Sequence, residues 1–175
     1  DRQYAAYPDN PLRFGFFCKA ALQLISELDL NPDIVQVNDW QTALTPVYLK
    51  TWFGNHSSLG SCASLLTIHN ASYRGIFPAA EQGWLGLPSR DRVPALFADD
   101  GRIDFLKGGI HFADAANTVS PAYAREIEAG AGGPGLASVL LGKGERFRGI
   151  LNGVDYDTWS PETDTLIPAR YSARD

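Results

Sequence analysis

The sequence predicts an α/β domain built on a doubly wound parallel sheet, and three observations carry that prediction. Short, β-branched apolar runs alternate along the chain with stretches whose apolar residues recur at helical spacing. Each apolar run stops at a polar cluster carrying Asn, Asp, His or Ser. The 175 residues, 45% hydrophobic and 20% charged, suit one globular domain able to bury a sizeable core. Strands separated by helices run parallel and are joined by right-handed crossovers.

The elements follow in order. Asn10-Pro11 opens a helix, with Asn as N-cap and Pro at the first helical position. Leu12, Phe16, Ala20, Leu24 and Leu28, flanked by Phe17, Ala21 and Ile25, form a wide apolar stripe expected to face a core, and Asn31-Pro32 ends it. Ile34 to Val37 reads as a buried strand ending at Asn38-Asp39-Trp40. A helix is predicted over 42–52, a turn-rich stretch over 54–61, and a second strand over 64–68 that stops at His69-Asn70. Residues 71–104, rich in Gly and Pro, read as a long irregular segment, and loops of that length in compact domains usually serve function. A helix is expected over 103–113, a third strand over 117–119, and a helix from Pro121 through Ile127. A Gly/Ala-rich run over 129–135, a short helix over 136–141 and a fourth strand over 147–151 complete the pattern.

Composition removes several function classes. The net charge of −5 and pI near 5.1 argue against nucleic acid as a partner, since binding it requires a basic face. An anionic small ligand stays open, because a few aimed donors can hold a phosphate on an acidic protein. Cys18 and Cys62 have no motif spacing and read as small apolar residues of a reducing compartment. No apolar run approaches the roughly 20 residues of a membrane span, and no signal peptide is visible. The sequence contains no Met and runs from Asp1-Arg2 to Arg174-Asp175 without a closing pattern, which reads as part of a longer chain.

Ligands of open α/β sheets bind beyond the carboxyl ends of the strands. Four such ends are polar here: 38–41, 69–70, 120–121 and 152–155. Asp39 is open to two readings, a carboxylate that hydrogen-bonds sugar hydroxyls or the N-cap of the helix near Thr42. Trp40 is either a stacking platform for a sugar face or a core aromatic. His69, one of three histidines with His56 and His111, is a ligand contact or a structural residue. Three scattered histidines without partner spacing argue against a metal site. Gly108-Gly109 lies within a helical pattern and is explained by close helix packing rather than by dinucleotide binding. Arg74, Arg102 and Lys107 are candidates to meet phosphate, with solvated surface charge as the default.

The polar strand ends also carry motifs. Val37 to Leu44 (VNDWQTAL) and Thr67 to Phe77 (TIHNASYRGIF) resemble the two central motifs of bacterial-type glycogen and starch synthases, glycosyltransferase family five. Phe105 to Ile110 (FLKGGI), Thr118 to Ile127 (TVSPAYAREI) and Gly149 to Asp155 (GILNGVD), the last followed by Trp159 to Asp164, resemble three more, in the same order. Tyr7-Pro8-Asp9-Asn10 before Arg13-Phe14 is similar to the family as well. The resemblance runs nearly end to end. It implies a GT-B architecture of two Rossmann-like domains, with residues 1–155 as part of the N-terminal, acceptor-side domain. Residues 156–175 would then start the segment leading to a C-terminal nucleotide-binding domain.

By the same resemblance, the activity is transfer of glucose, with retention, from ADP-glucose (UDP-glucose in some members) to the non-reducing end of an α-1,4-glucan. No cofactor and no metal are needed for that chemistry. Carried over by position, Asp39 and His69 are the catalytic candidates, and Tyr7, Trp40, Asn70 and Asn152 the substrate-binding ones. The family's glycine-rich lysine loop and its second domain are missing from this sequence, so the chain alone is expected not to transfer glucose. The expected compartment is the cytoplasm for a bacterial source and the plastid for a plant or alga. Arg74 stands where the family usually has Gln, Ser72 where Ala is common, and Gly135-Leu136-Ala137-Ser138 where Gly-Leu-Glu-Gly is common. Two other readings stay open: a related GT-B glycosyltransferase with another acceptor, and a non-enzymatic glucan-binding module.

Overall fold

The computed structural model describes residues 7–133 and 135–174. Four strands form one parallel sheet: β1 (Ile34–Asn38), β2 (Ala63–Ile68), β5 (Ala115–Thr118) and β6 (Phe147–Gly149), in the order β1-β2-β5-β6. Register sets Val37 beside Leu66, Leu66 beside Ala116 and Ala116 beside Phe147, so one apolar row crosses the sheet. Leu106 and Ile110 of α5 (Phe105–Phe112), Ala124 and Ile127 of α6 (Pro121–Glu128), and Leu136 and Leu140 of α7 (Leu136–Leu141) pack on that row. Each such fully buried branched side chain contributes roughly 1.5–3 kcal/mol of hydrophobic stabilisation. Among the described residues the helices of this core lie on one face. Ile34, Gln36, Leu65, Asn117 and Arg148 on the other face are exposed or half-buried. There Gln36 Nε2 donates to Thr67 Oγ1 (3.1 Å) and Thr67 Oγ1 donates to Asn117 Oδ1 (2.8 Å).

Helix α1 (Asn10–Glu27) begins at Asn10 itself, one residue earlier than the Asn10 cap implies, and Asp9 occupies the cap position without a side-chain bond. The predicted stripe is not the buried face: none of its eight residues is fully buried, Ala20, Ala21 and Ile25 are half-buried, and the buried line is Pro11, Gly15, Cys18 and Leu22. Cys18 and Leu22 enter the core with Leu44, Val47 and Tyr48 of α3 (Leu44–Thr51) and Leu85 of α4 (Gln82–Leu85). Leu12, Phe16, Phe17, Leu24 and Leu28 remain exposed, Phe16 at 75%. α1 packs instead through the neighbouring line that carries Gly15 and Cys18, small residues that a search for large apolar side chains passes over. Gly15 lets that contact close, since a Cβ there would lie 2.4 Å from Leu85 Cδ2.

The single helix expected over 42–52 is two. A turn, α2 (Asp39–Thr42), leads through Ala43 into α3. Gly109 of α5 presses on that junction, where a Cβ would meet Ala43 Cβ at 2.6 Å, and Gly108 presses likewise on Leu96 at 2.4 Å. Close packing therefore accounts for the Gly108-Gly109 pair.

The segment 71–104 is more ordered than a long irregular loop. Its β3 (Ile76–Phe77) pairs antiparallel with β4 (Ile103–Asp104), and α4 and two 3₁₀ turns, Ala79–Glu81 and Pro94–Leu96, lie between them. Asp104 then caps α5 by accepting the Lys107 N–H, so Ile103 and Asp104 belong to a strand and not to the helix. The third strand starts two residues before its expected position and the fourth stops at Gly149, beyond which residues 150–159 are exposed coil.

Candidate functional site

At the carboxyl ends of β1 and β2 the chain forms a half-open cavity of ≈ 710 Å³. Tyr7, Asp39, Trp40, His69 and Asn70 line it together. Asn152 does not: it lies in the exposed coil past β6. The position of the cavity follows from topology, since parallel strands deliver their polar ends to one rim.

Asp39 is the first residue after β1 and has a left-handed backbone, φ 55°. Such a conformation costs a non-glycine residue roughly 1–3 kcal/mol and persists where surrounding contacts impose it. Its Oδ1 accepts the backbone N–H of His69 at 2.8 Å, tying the end of β1 to the end of β2. The carboxylate therefore does not act as the N-cap of the following helix. The cap position is Asn38, with no side-chain cap bond, and Asp39 is already the first residue of α2.

His69 is exposed to the cavity, and its ring Nε2 lies 3.0 Å from Asn38 Oδ1. Asn38 is itself braced, its N–H donating to Thr42 Oγ1 (2.7 Å) and its carbonyl accepting from the same hydroxyl (2.5 Å). Past His69, Asn70 Oδ1 accepts the Ser72 N–H (2.9 Å), and Ala71 N–H donates to the Tyr123 hydroxyl (2.9 Å). These bonds shape the loop that forms one wall.

Trp40 meets its core reading in part. It is half-buried against Phe14 (centroids 4.9 Å apart), Phe77 (5.7 Å) and Phe105 (6.5 Å), and it also lines the cavity. Gly75, at φ +64°, lies against its ring; a Cβ there would be 2.4 Å from Trp40 Cε3. Tyr7 is exposed at the cavity edge, with the Arg13 guanidinium 5.6 Å from its ring centroid.

The three cations read as surface charge behave differently. Only Arg102 is exposed, paired with Asp100 at 2.7 Å. Lys107 is half-buried and its Nζ donates to the Phe97 carbonyl (2.8 Å). Arg74 lines the cavity and forms a buried ion pair with Asp104, the side chains 9% and 0% exposed. Burial pushes the Asp104 carboxyl above its ordinary range, against the opposing pull of the Lys107 N–H and the Arg74 guanidinium. Spacing could not foresee this pair, because Arg74 and Asp104 lie thirty positions apart. Asn10 and Arg13 also line the cavity, linked by a 3.3 Å bond from Arg13 Nη1 to Asn10 Oδ1. The sequence marked them as a helix start and within the family resemblance around Tyr7 to Phe14, but not as site residues.

Among the described residues there is no group of three or more His, Cys, Asp or Glu able to hold a metal ion. No helix there is long and apolar enough to cross a membrane. Cys18 and Cys62 are both buried. Burial raises the pKa of each thiol, which makes them poor nucleophiles.

Comparison with known proteins agrees with the geometry. The family model described as starch synthase catalytic domain matches residues 1–142. Glycogen synthase 2 of Geobacter sulfurreducens is 42% identical over 173 residues, covering 96% of this chain and 35% of the relative. The glycogen synthase of Thermotoga maritima is 46% identical over 166 residues, covering 95% of this chain and 34% of the relative. The solved catalytic domain of starch synthase IV from Arabidopsis thaliana, bound to ADP and acarbose, superposes with a TM-score of 0.77 at 36% identity, over 98% of this chain and 35% of that one. The chain thus spans about a third of the length of the curated relatives it matches. With a family match over most of its residues and a four-stranded parallel sheet like that of its solved GT-B neighbour, this chain belongs to the starch and glycogen synthase catalytic-domain family.

Proposed function

We propose that the protein carrying this sequence is a retaining glucosyltransferase that extends an α-1,4-glucan at its non-reducing end with glucose from ADP-glucose. This chain supplies the acceptor side and part of the sugar pocket. The observation that carries the reading is the convergence of Asp39, His69, Trp40, Asn70 and Tyr7 on one cavity at the β1 and β2 ends. The Arabidopsis neighbour, solved with ADP and acarbose, supports an adenine-nucleotide sugar as donor and an oligosaccharide as the other ligand.

The chemistry is consistent with these residues. Glucosyl transfer passes through an oxocarbenium-like state, so the site needs orientation and charge stabilisation. In this reading Asp39 orients or deprotonates the acceptor hydroxyl and His69 contacts the transferred glucose. Trp40 and Tyr7 offer aromatic faces to the glucan, and Asn70 offers an amide on the cavity wall. Asn152, exposed outside the cavity, is assigned to the cleft facing a second domain. Residues 1–155 form part of the acceptor-side domain and 156–175 lead toward the donor-binding one. In a bacterial source the enzyme works in the cytoplasm, in a plant in the plastid.

The test is glucose incorporation into glycogen by the intact protein, with ADP-glucose and UDP-glucose in parallel. Asp39→Asn is expected to lower kcat by about 10²–10⁴-fold, the range for loss of a general acid–base group. An unchanged kcat would remove Asp39 from the chemistry. Absence of transfer from either donor by the folded intact protein would favour a glucan-binding module. The 175-residue chain alone is expected to transfer none.

A further inference from the structure

We infer that Asn38 is a positioning residue that locks His69 in one tautomer, with the proton on Nε2 and the lone pair of Nδ1 presented to a ligand hydroxyl. The inference rests on the proposed role of His69 in the sugar site and extends it to a residue that does not line the cavity.

The last residue of β1 and the residue after it both hold the residue that follows β2. Asp39 Oδ1 takes the backbone N–H of His69 at 2.8 Å, and Asn38 Oδ1 lies 3.0 Å from its ring Nε2. A neutral imidazole has one N–H and one lone pair, and the partner of one nitrogen decides the character of the other. An amide oxygen can only accept, so Nε2 must carry the proton. Among the described residues no side chain or backbone group bonds His69 Nδ1. Nδ1 is then a hydrogen-bond acceptor on a residue that lines the cavity, suited to a hydroxyl donor and mismatched to a carbonyl or phosphate oxygen. Asn38 can hold this arrangement because its own N–H and carbonyl are both closed on Thr42 Oγ1.

The experiment is nitrogen-15 NMR of the histidine rings in the labelled protein, in alkaline buffer where the imidazoles are neutral. Within residues 1–175 three histidines contribute, and His69→Gln identifies the His69 signals. His56 is an internal reference. Its Nδ1 accepts the Ser58 N–H at 3.3 Å, which leaves the proton on Nε2, 3.0 Å from Ser26 Oγ. His69 is expected to show the same pattern as His56. Asn38→Ala should replace it with averaged, exchanging nitrogens, while Asn38→Asp, whose carboxylate also only accepts, should retain it. Unshifted His56 and His111 signals report that each variant is folded. A proton on Nδ1 of His69 in the unsubstituted protein overturns the inference without any variant, as does an unchanged pattern in Asn38→Ala.

In the intact synthase Asn38→Ala should lower kcat by about tenfold or more, the scale of a misplaced reacting group, with the KM for glucan little changed. Asn38→Asp should recover much of that loss. A wild-type kcat in Asn38→Ala would overturn the functional part. If the intact protein transferred no glucose at all, the proposed function would fall, while the tautomer result would still decide the role of Asn38.

Discussion

Replacing Gly75 by Ala tests how the cavity wall is built. Gly75 combines a left-handed backbone, φ +64°, with a ring pressed on its α-carbon. The added methyl would meet Trp40 Cε3 at 2.4 Å, Cδ2 at 2.9 Å and Phe105 Cβ at 3.3 Å. A Cβ in the left-handed region costs about 1–2 kcal/mol. Overpacking a close-fitted site costs about 1–3 kcal/mol more. Trp40 cannot easily yield, because Phe14, Phe77 and Phe105 surround it. The expected loss is therefore about 2–5 kcal/mol, or roughly 4–20 °C in Tm for a chain of this size. Urea unfolding followed by tryptophan fluorescence would measure it. Gly83 is the control: it lies within α4 with nothing within 4 Å of a built Cβ, so Gly83→Ala should be neutral or slightly stabilising. A Gly75→Ala loss below about 0.5 kcal/mol, or equal effects at the two positions, would refute the steric reasoning.

Three further outcomes are expected. Arg74→Ala strands the Asp104 carboxylate, 0% exposed, and should cost about 3–5 kcal/mol in urea unfolding near neutral pH; a loss under 1 kcal/mol would mean the pair carries no such burden. The Asp114 carboxyl is pushed up by partial burial but held on balance below its ordinary range by Lys50 (2.9 Å) and Ser64. A depressed carboxylate stabilises the fold above its unfolded pKa, and that stability is lost as pH falls through the folded one. Asp114→Asn should therefore flatten the acid limb of a midpoint-versus-pH series; an unchanged limb would exclude the linkage. Gly109→Ala, whose Cβ would meet Ala43 Cβ at 2.6 Å and the Ala43 carbonyl oxygen at 2.6 Å, should destabilise by at least about 1 kcal/mol, and a neutral melt would show that the α2–α3 junction can shift.

The sequence by itself determined the four parallel strands, the main helices between them and the polar residues at the strand ends. Periodicity and strand-ending polar residues are local signals, and a parallel strand cannot pair with its neighbour without a crossover. Those rules alone placed Asp39, Trp40, His69 and Asn70 at strand ends, and the structure sets those two ends side by side and gathers the four with Tyr7 into one cavity. Only the tertiary structure decided how these residues are held. Asp39 faces His69 across two strands instead of capping a helix, because its positive φ turns the chain at the strand end. Arg74 is drawn inward because β3 and β4 bring Asp104 beside it. Asn152 lies outside the cavity because the strand order sets β6 at the far edge of the sheet, beyond β5, and the coil after Gly149 is exposed. Most of the α1 stripe stays exposed because apolarity records what a face can bury, while burial itself depends on which neighbours are present to cover it.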